Sequence, residues 1–415
     1  MNGQNKTLKR SLTLPLITFY GLGNILGAGI YALIGKVAGE AGYFAPLSFL
    51  FASIIATFSA LSYAELSARY PVSAGEAVYL YEGFQLRWLS IVVGLLIVAA
   101  GIMSSAAIAH AFAGYLKVIA INYIPAFQAV SSTTILTTLL FILTALAVWG
   151  IKQSVAVASF LTLLEIAGLS LVIWVGVEQM PVMQQNFAAI SETNYHFSSI
   201  GIFAGAFLAF YAYIGFEDMV NVAEEVKDPQ KNMPRAIFLA VIISTLLYAV
   251  VAIVAVLLVE PQQLARSEAP LAEVYTTATG KAPIVISVIG LFAVINGALI
   301  QLIMASRLLY GMGHRQWLPA WFSVIYSPTR TPVNSTLVVA ALILFFAILL
   351  PIVTLAEMTS FLILIVFALV NLALIRIKQK QAHPEGVRVF SIWIPALGFI
   401  TSSMFLLLNT IRNIL

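Results

Sequence analysis

Cysteine is absent from this 415-residue chain, which excludes disulfides and thiolate metal sites. Charge is scarce as well: Asp, Glu, Lys and Arg supply 9% of the residues, against about 25% in a soluble domain. With 61% hydrophobic residues, the chain has too little polar surface to cover itself in water. The four histidines, His110, His196, His314 and His383, are scattered. No HExxH, GxSxG or acidic metal motif accompanies them. These absences argue against an enzyme, a bound cofactor and a nucleic-acid partner.

What is present in quantity is apolar sequence. A membrane-spanning helix needs about 20 mostly apolar residues. Eleven stretches qualify: 14–36, 43–67, 88–116, 133–150, 155–178, 199–222, 235–259, 283–309, 333–350, 353–376 and 390–411. The ninth and tenth divide at Pro351, because one helix over 333–376 would be about 65 Å long, twice a ~30 Å bilayer core. Lysine and arginine then set the orientation. With the N-terminus cytoplasmic, sixteen of the 21 basic residues fall inside. Lys36, Lys117, Arg266, Lys281 and Arg412 fall outside, and eleven spans put the C-terminus outside too. The first apolar run is too long for a cleaved signal peptide. The expected location is the cell membrane, with the lipid bilayer as the surrounding partner. The segments 68–87 and 223–235 read as cytoplasmic loops. Residues 260–282 read as an outer loop with a short helix after Pro270.

Two stretches interrupt themselves. The first, LPLITFYGLGNILGAGIYALIGK over 14–36, contains Gly21, Gly23, Gly27, Gly29 and Gly35. Each interior glycine weakens a helix by about 1 kcal/mol relative to alanine. The sixth carries Gly201, Gly205 and Gly215 among aromatics, followed at once by Glu217 and Asp218. Small residues also serve close helix packing, and Gly21 and Gly23 fit either role. Unwound backbone at membrane depth is tolerated only where it faces protein or a water-filled cavity. Paired interruptions in matching positions of two halves mark the binding site of many transporters. Spans one and six match if five helices repeat after five, and an odd number inverts the second copy.

The sequence GLGNILGAGIYALIG (21–35) resembles the first-helix signature of the amino acid–polyamine–organocation transporter superfamily. FYAYIGFEDMVNVAEEVKDPQKNMPRAI (210–237) is similar to its sixth helix and following loop. ASRLLYGMGHRQWLPAWF (305–322) and FALVNLALIRIK (367–378) resemble parts of its eighth and tenth helices. The likeness is strongest to the branch of cationic amino acid transporters and their bacterial relatives. It implies an all-α integral membrane fold of about 11 transmembrane helices. These form a leucine-transporter-type 5+5 inverted repeat with helices 1 and 6 broken, plus one extra C-terminal helix. Residues 1–415 then make a single transporter domain, with 14–178 as the first repeat, 199–376 as the second and 390–411 as the additional helix.

The resemblance also implies a site. An amino acid carboxylate would rest on amides of Gly27, Ala28 and Gly29, as anions do at helix N-termini. Its ammonium would meet carbonyls of Ile25, Tyr211, Ala212 and Ile214, with the Tyr211 ring closing over it. The side-chain pocket would draw on the third helix near Met103, Ser104 and Ala107, on Asn296, and on the tenth helix near Thr359 and Ser360. Asn296 could equally pin two helices together.

Glu165 stands alone in SVAVASFLTLLEIAGLSLVIW (154–174). A carboxylate at that depth costs at least ~2.5–3.5 kcal/mol, so it must be neutral, paired or solvated. Some relatives carry a lysine there, and its role does not transfer to a glutamate. Glu165 is expected to couple transport to protons, or to hydrogen-bond backbone freed by the first break. Glu217 and Asp218 are expected to sense protons, or to lock the cytoplasmic side with Arg69 or Arg235. Glu65, Arg69, Glu224 and Glu225 lie where inner-gate ion pairs would form. The expected activity is secondary active transport of amino acids by alternating access, coupled to protons or run as exchange. A polyamine or organic-amine carrier is the alternative within the same superfamily, and a channel or a non-transporting receptor lies outside it.

Overall fold

A computed structural model describes residues 12–72, 75–124, 129–149, 155–192, 198–326 and 331–414. Among them there is no β-strand, only two isolated bridges. Without water to bond the backbone, an apolar run satisfies its N–H and C=O groups within itself, as helix. The first apolar stretch forms two helices, α1 (Leu14–Leu26) and α2 (Ala28–Ala41), and α3 (Ala45–Arg69) follows. Then come α4 (Gly75–Phe84), α5 (Arg87–Tyr123), α6 (Ser132–Trp149), α7 (Val155–Glu178) and α8 (Met180–Glu192). The sixth stretch gives α9 (Ser199–Tyr211), a turn, and a 3-10 run over Glu217–Glu225. The remainder is α10 (Pro229–Leu258), α11 (Pro261–Arg266), α12 (Pro270–Thr279), α13 (Ile284–His314), α14 (Val333–Leu349), α15 (Ile352–Lys380) and α16 (Trp393–Ile414).

By length and composition, seven helical runs among the described residues could cross a membrane. The first of these, Leu14–Arg69, contains α1 to α3. Three shorter apolar helices lie at Ser132–Val148, Ser199–Tyr211 and Val333–Leu349. Pro351 caps α15 and separates it from α14. The helix expected after Pro270 is α12.

Three helices lie outside the eleven expected apolar spans: α4 and α11 in segments expected as loops, and α8 between the fifth and sixth spans. They are short or amphipathic, so a search for long apolar runs passes over them. In α8 only Met183 is buried, and Asn186 Nδ2 anchors the helix on the Leu257 carbonyl at 2.7 Å. The helix α10 starts six residues before its apolar run, since proline's fixed φ suits a first helical position such as Pro229.

In the interior, α1 packs on α7 and α10, α2 on α9 and α11, and α5 along α13 and α15. Away from these contacts, Glu65 on α3 is fully buried. One carboxylate oxygen meets Arg69 at 2.7 Å and the other meets Lys378 at 2.7 Å. The second also accepts the Phe390 amide at 2.9 Å, and Lys378 donates to the Phe390 carbonyl at 2.7 Å. This cluster ties α3, α15 and the segment ahead of α16 together. Removing one member of a buried ion pair strands the others, at roughly 3–5 kcal/mol. Glu65→Ala should therefore lower the melting temperature of the detergent-purified protein by several degrees. Thermal unfolding of the two forms checks this.

Candidate functional site

The hydrogen-bond ladder of α1 ends at Leu26. Gly27, at φ −45° and ψ −109°, leaves helical geometry before α2 restarts. The sixth stretch stops at Tyr211 and passes through Gly215, whose φ is +132°. Only glycine adopts that value readily. The two breaks cross backbone to backbone. A Cβ on Gly215 would lie 2.7 Å from the Asn24 carbonyl carbon, and one on Gly29 would lie 2.4 Å from the Ala212 Cα. Helix ends leave carbonyls without donors. Here Tyr248, on α10, serves both ends: its hydroxyl lies 2.6 Å from the Ile25 carbonyl oxygen and 2.9 Å from that of Ala212.

A pocket of about 30 Å³ sits at this crossing, with Asn24, Ile25, Gly29, Tyr211 and Ile214 on its wall. Ser104 and Ile108 on α5, with Gly297, Ile300 and Gln301 on α13, complete it. Asn24 Nδ2 is buried and has no hydrogen-bond partner among the described residues. The Tyr211 hydroxyl lies 3.0 Å from Ser104 Oγ and donates to the Ser104 carbonyl at 3.2 Å.

Ser104, Ile214, Ile300 and Gln301 also line a second cavity of about 760 Å³. It runs past Glu76, Glu217 and Asp218 to Arg307, Arg315 and Trp317. Gln301, on the wall of both spaces, donates to Asp218 Oδ2 at 3.3 Å. Glu217 accepts the Gly215 amide at 2.8 Å. Glu76, on α4 outside the apolar runs, is buried. Burial pushes its carboxyl up to about 8, and Glu217 adds repulsion. On the opposite side α11 packs against α2, and Lys36 Nζ donates to the Ala265 carbonyl.

The fifth apolar stretch lies along the first break. Thr162 Oγ1 donates to the Phe19 carbonyl on α1 at 3.1 Å. One turn later, the Glu165 carbonyl accepts the Tyr31 hydroxyl of α2 at 2.8 Å. The Glu165 carboxyl is buried, and neither of its oxygens has a hydrogen-bond partner among the described residues.

A protein family described as amino acid permease matches residues 12–413. The chain belongs to this family. It is a family of permeases, not of enzymes. Cationic amino acid transporter 2, vacuolar, of Arabidopsis thaliana is 31% identical over 417 residues, covering 93% of this chain and 64% of the relative. Cationic amino acid transporter 3, mitochondrial, of the same plant is 29% identical over 405 residues, with 92% and 64% covered. The branched-chain amino acid permease BcaP of Bacillus subtilis is 27% identical over 424 residues, with 97% and 89% covered. The chain thus spans slightly less than two thirds of the length of these plant relatives.

Within this permease fold the expected residues separate into two groups. Ile25, Gly29, Tyr211 and Ile214 meet at the pocket. Gly27 and Ala28 form the break beside it, and Ala212 faces Tyr248 with its carbonyl. Met103, Ala107 and Asn296 are buried but lie off the pocket wall. Each is one residue away from a residue that does line it: Ser104, Ile108 and Gly297. Thr359 lines the larger cavity instead, and Ser360 is buried. Glu217 and Asp218 take the Gly215 amide and Gln301 as partners rather than Arg69 or Arg235, and Arg69 pairs with Glu65. The side chains of Glu224 and Glu225 lie outside the described residues. Gly21 and Gly23 serve close packing, against Met219 and Thr162.

Asn24, Gln301 and Tyr248 were not anticipated. The first two are polar residues inside apolar runs, the signal that singled out Asn296. Tyr248 carries no comparable signal, because tyrosine is common in membrane helices.

Two outcomes follow from this geometry. Tyr248→Phe leaves the Ile25 and Ala212 carbonyls without their shared donor and should lower stability by ~1–3 kcal/mol; denaturant or thermal unfolding measures it. Glu76 has a folded-state value above its unfolded one. Its ionisation therefore penalises the fold, and stability should fall as pH rises from about 4.5 towards 8. Glu76→Gln should flatten that part of the decline in melts recorded across this range.

Proposed function

We propose that this chain carries amino acids across a cell membrane by alternating access. The carrying observation is the crossing of two broken helices at a small pocket, four of whose wall residues also line one large cavity. A channel would need a continuous path. A carrier needs a site exposed to one side at a time.

In this reading the apolar stretches cross the membrane eleven times, as five helices, five inverted helices and one more, with the N-terminus in the cytoplasm. The large cavity is then the cytoplasmic vestibule, and the conformation is inward-facing. The substrate carboxylate meets the amides of Gly27, Ala28 and Gly29, together with the unpartnered Asn24 amide. The ammonium meets the carbonyls of Ile25, Tyr211, Ala212 and Ile214, two of which lie within hydrogen-bond distance of the Tyr248 hydroxyl. The names of the relatives, cationic amino acid transporters and a branched-chain amino acid permease, support an amino acid as the cargo.

Glu165 couples transport to protons. It lies on the helix turn that touches both halves of the broken first helix, through Thr162 to α1 and through its own carbonyl to α2. A neutral carboxyl can remain in that apolar contact, whereas a charged one must be hydrated or paired. Gain and loss of the proton would thus shift α7 against the break.

Uptake into proteoliposomes with an imposed pH gradient tests both parts. Amino acids should accumulate without sodium, and amines lacking the carboxylate should not. Preferential uptake of such amines would instead assign an organic-amine carrier. Glu165→Gln should still exchange substrate, with its pH-driven accumulation ratio falling to about one. Sodium-dependent uptake, or undiminished accumulation by Glu165→Gln, removes Glu165 from the coupling.

A further inference from the structure

We infer that the substrate side chain is short, aliphatic and uncharged. This rests on the amino acid transport reading and narrows it. Ile25, Ile108, Ile214 and Ile300 surround the pocket at the two breaks, and no residue on its wall is charged. The polar groups there are mostly engaged. Ser104 and Tyr211 bond each other, and Gln301 donates to Asp218. The unpartnered group is Asn24 Nδ2, next to the break that takes the backbone end of the substrate. Free hydrogen-bonding capacity is therefore concentrated beside the first break, and away from it Ile108 on α5 and Ile300 on α13 form an isoleucine end.

A lysine or arginine side chain would need a counter-charge at the isoleucine end, since an unpaired buried charge is expensive. Glu217 and Asp218 line the larger cavity, not the pocket. Size points the same way. At about 30 Å³ the pocket has room for one or two waters, so a larger occupant must push its walls apart. Gly297 sets the reach across the pocket. A Cβ there would meet a single neighbour, the Ile108 Cδ1 at 3.3 Å. The Ile108 tip thus already lies against the bare α13 backbone, and a substrate side chain must displace that tip to reach Gly297.

Gly297→Ala adds one methyl group to that wall. Alanine is the better helix former, and the methyl meets the movable end of a side chain, so folding should survive. Binding by thermal shift and competition for uptake in proteoliposomes would be measured over alanine, valine, isoleucine, phenylalanine, lysine and arginine. The wild type should bind alanine and valine and ignore lysine and arginine. Gly297→Ala should weaken valine and isoleucine about tenfold relative to alanine, the usual scale for one methylene. Ile108→Ala should shift preference towards isoleucine and phenylalanine. Lysine or arginine binding as tightly as alanine overturns the inference and leaves amino acid transport standing. The same affinity loss for every substrate in Gly297→Ala, or no change at all, removes this wall from specificity and overturns it too. Binding of decarboxylated amines with no amino acid bound overturns the transport reading itself, and this inference with it.

Discussion

Two helices that stop partway through an apolar bundle leave backbone groups with no water to satisfy them, and the rest of the molecule is arranged around that constraint. Each such group left unmatched costs several kcal/mol. The breaks answer it by crossing at van der Waals distance, which requires Gly29 and Gly215 where side chains would collide with Ala212 and Asn24. Tyr248 then bridges a carbonyl from each break with one hydroxyl. That hydroxyl is itself set by the fold, since its ring packs against Phe49 and Tyr213. The Asn24 side-chain amide, which has no hydrogen-bond partner among the described residues, borders the pocket.

The surroundings of the pocket are uneven, which is what a carrier needs. On the α11 side, helices pack directly over α2. On the other side Ser104, Ile214, Ile300 and Gln301 stand between the pocket and a large cavity. The Gln301–Asp218 hydrogen bond, of net worth ~0.5–1.5 kcal/mol, is weak enough to open within a transport cycle. The buried cluster at Glu65 is a different kind of contact. It holds several charged groups out of water and fastens α3, α15 and the approach to α16 together.

Helix register explains which pocket residues were legible in the sequence. The apolar runs announced their helices, and the glycine clusters announced the breaks. Yet of Met103, Ser104 and Ala107 on the third span only Ser104 lines the pocket, Ile108 does so beside Ala107, and Gly297 does so beside Asn296. Successive residues on a helix point about 100° apart, so a one-residue offset turns a side chain away from the site. Hydropathy does not report rotation when a helix is apolar on every face, as α5 and α13 nearly are.

By itself, then, the sequence determined an all-helical protein built of long apolar segments, interrupted at Gly27–Gly29 and near Gly215, with a lone carboxyl at Glu165. These are local matters: composition decides burial in lipid, and glycine decides where a helix is cheap to stop. Only the tertiary structure decided that Tyr248 joins the two breaks, that Gln301 rather than Arg69 or Arg235 meets Asp218, and that one turn of α7 touches both halves of the first helix. Each joins segments from tens to more than two hundred residues apart. Their contact depends on the packing angle and rotation of whole helices, and those are set by the sum of many small side-chain contacts that no single stretch of sequence contains.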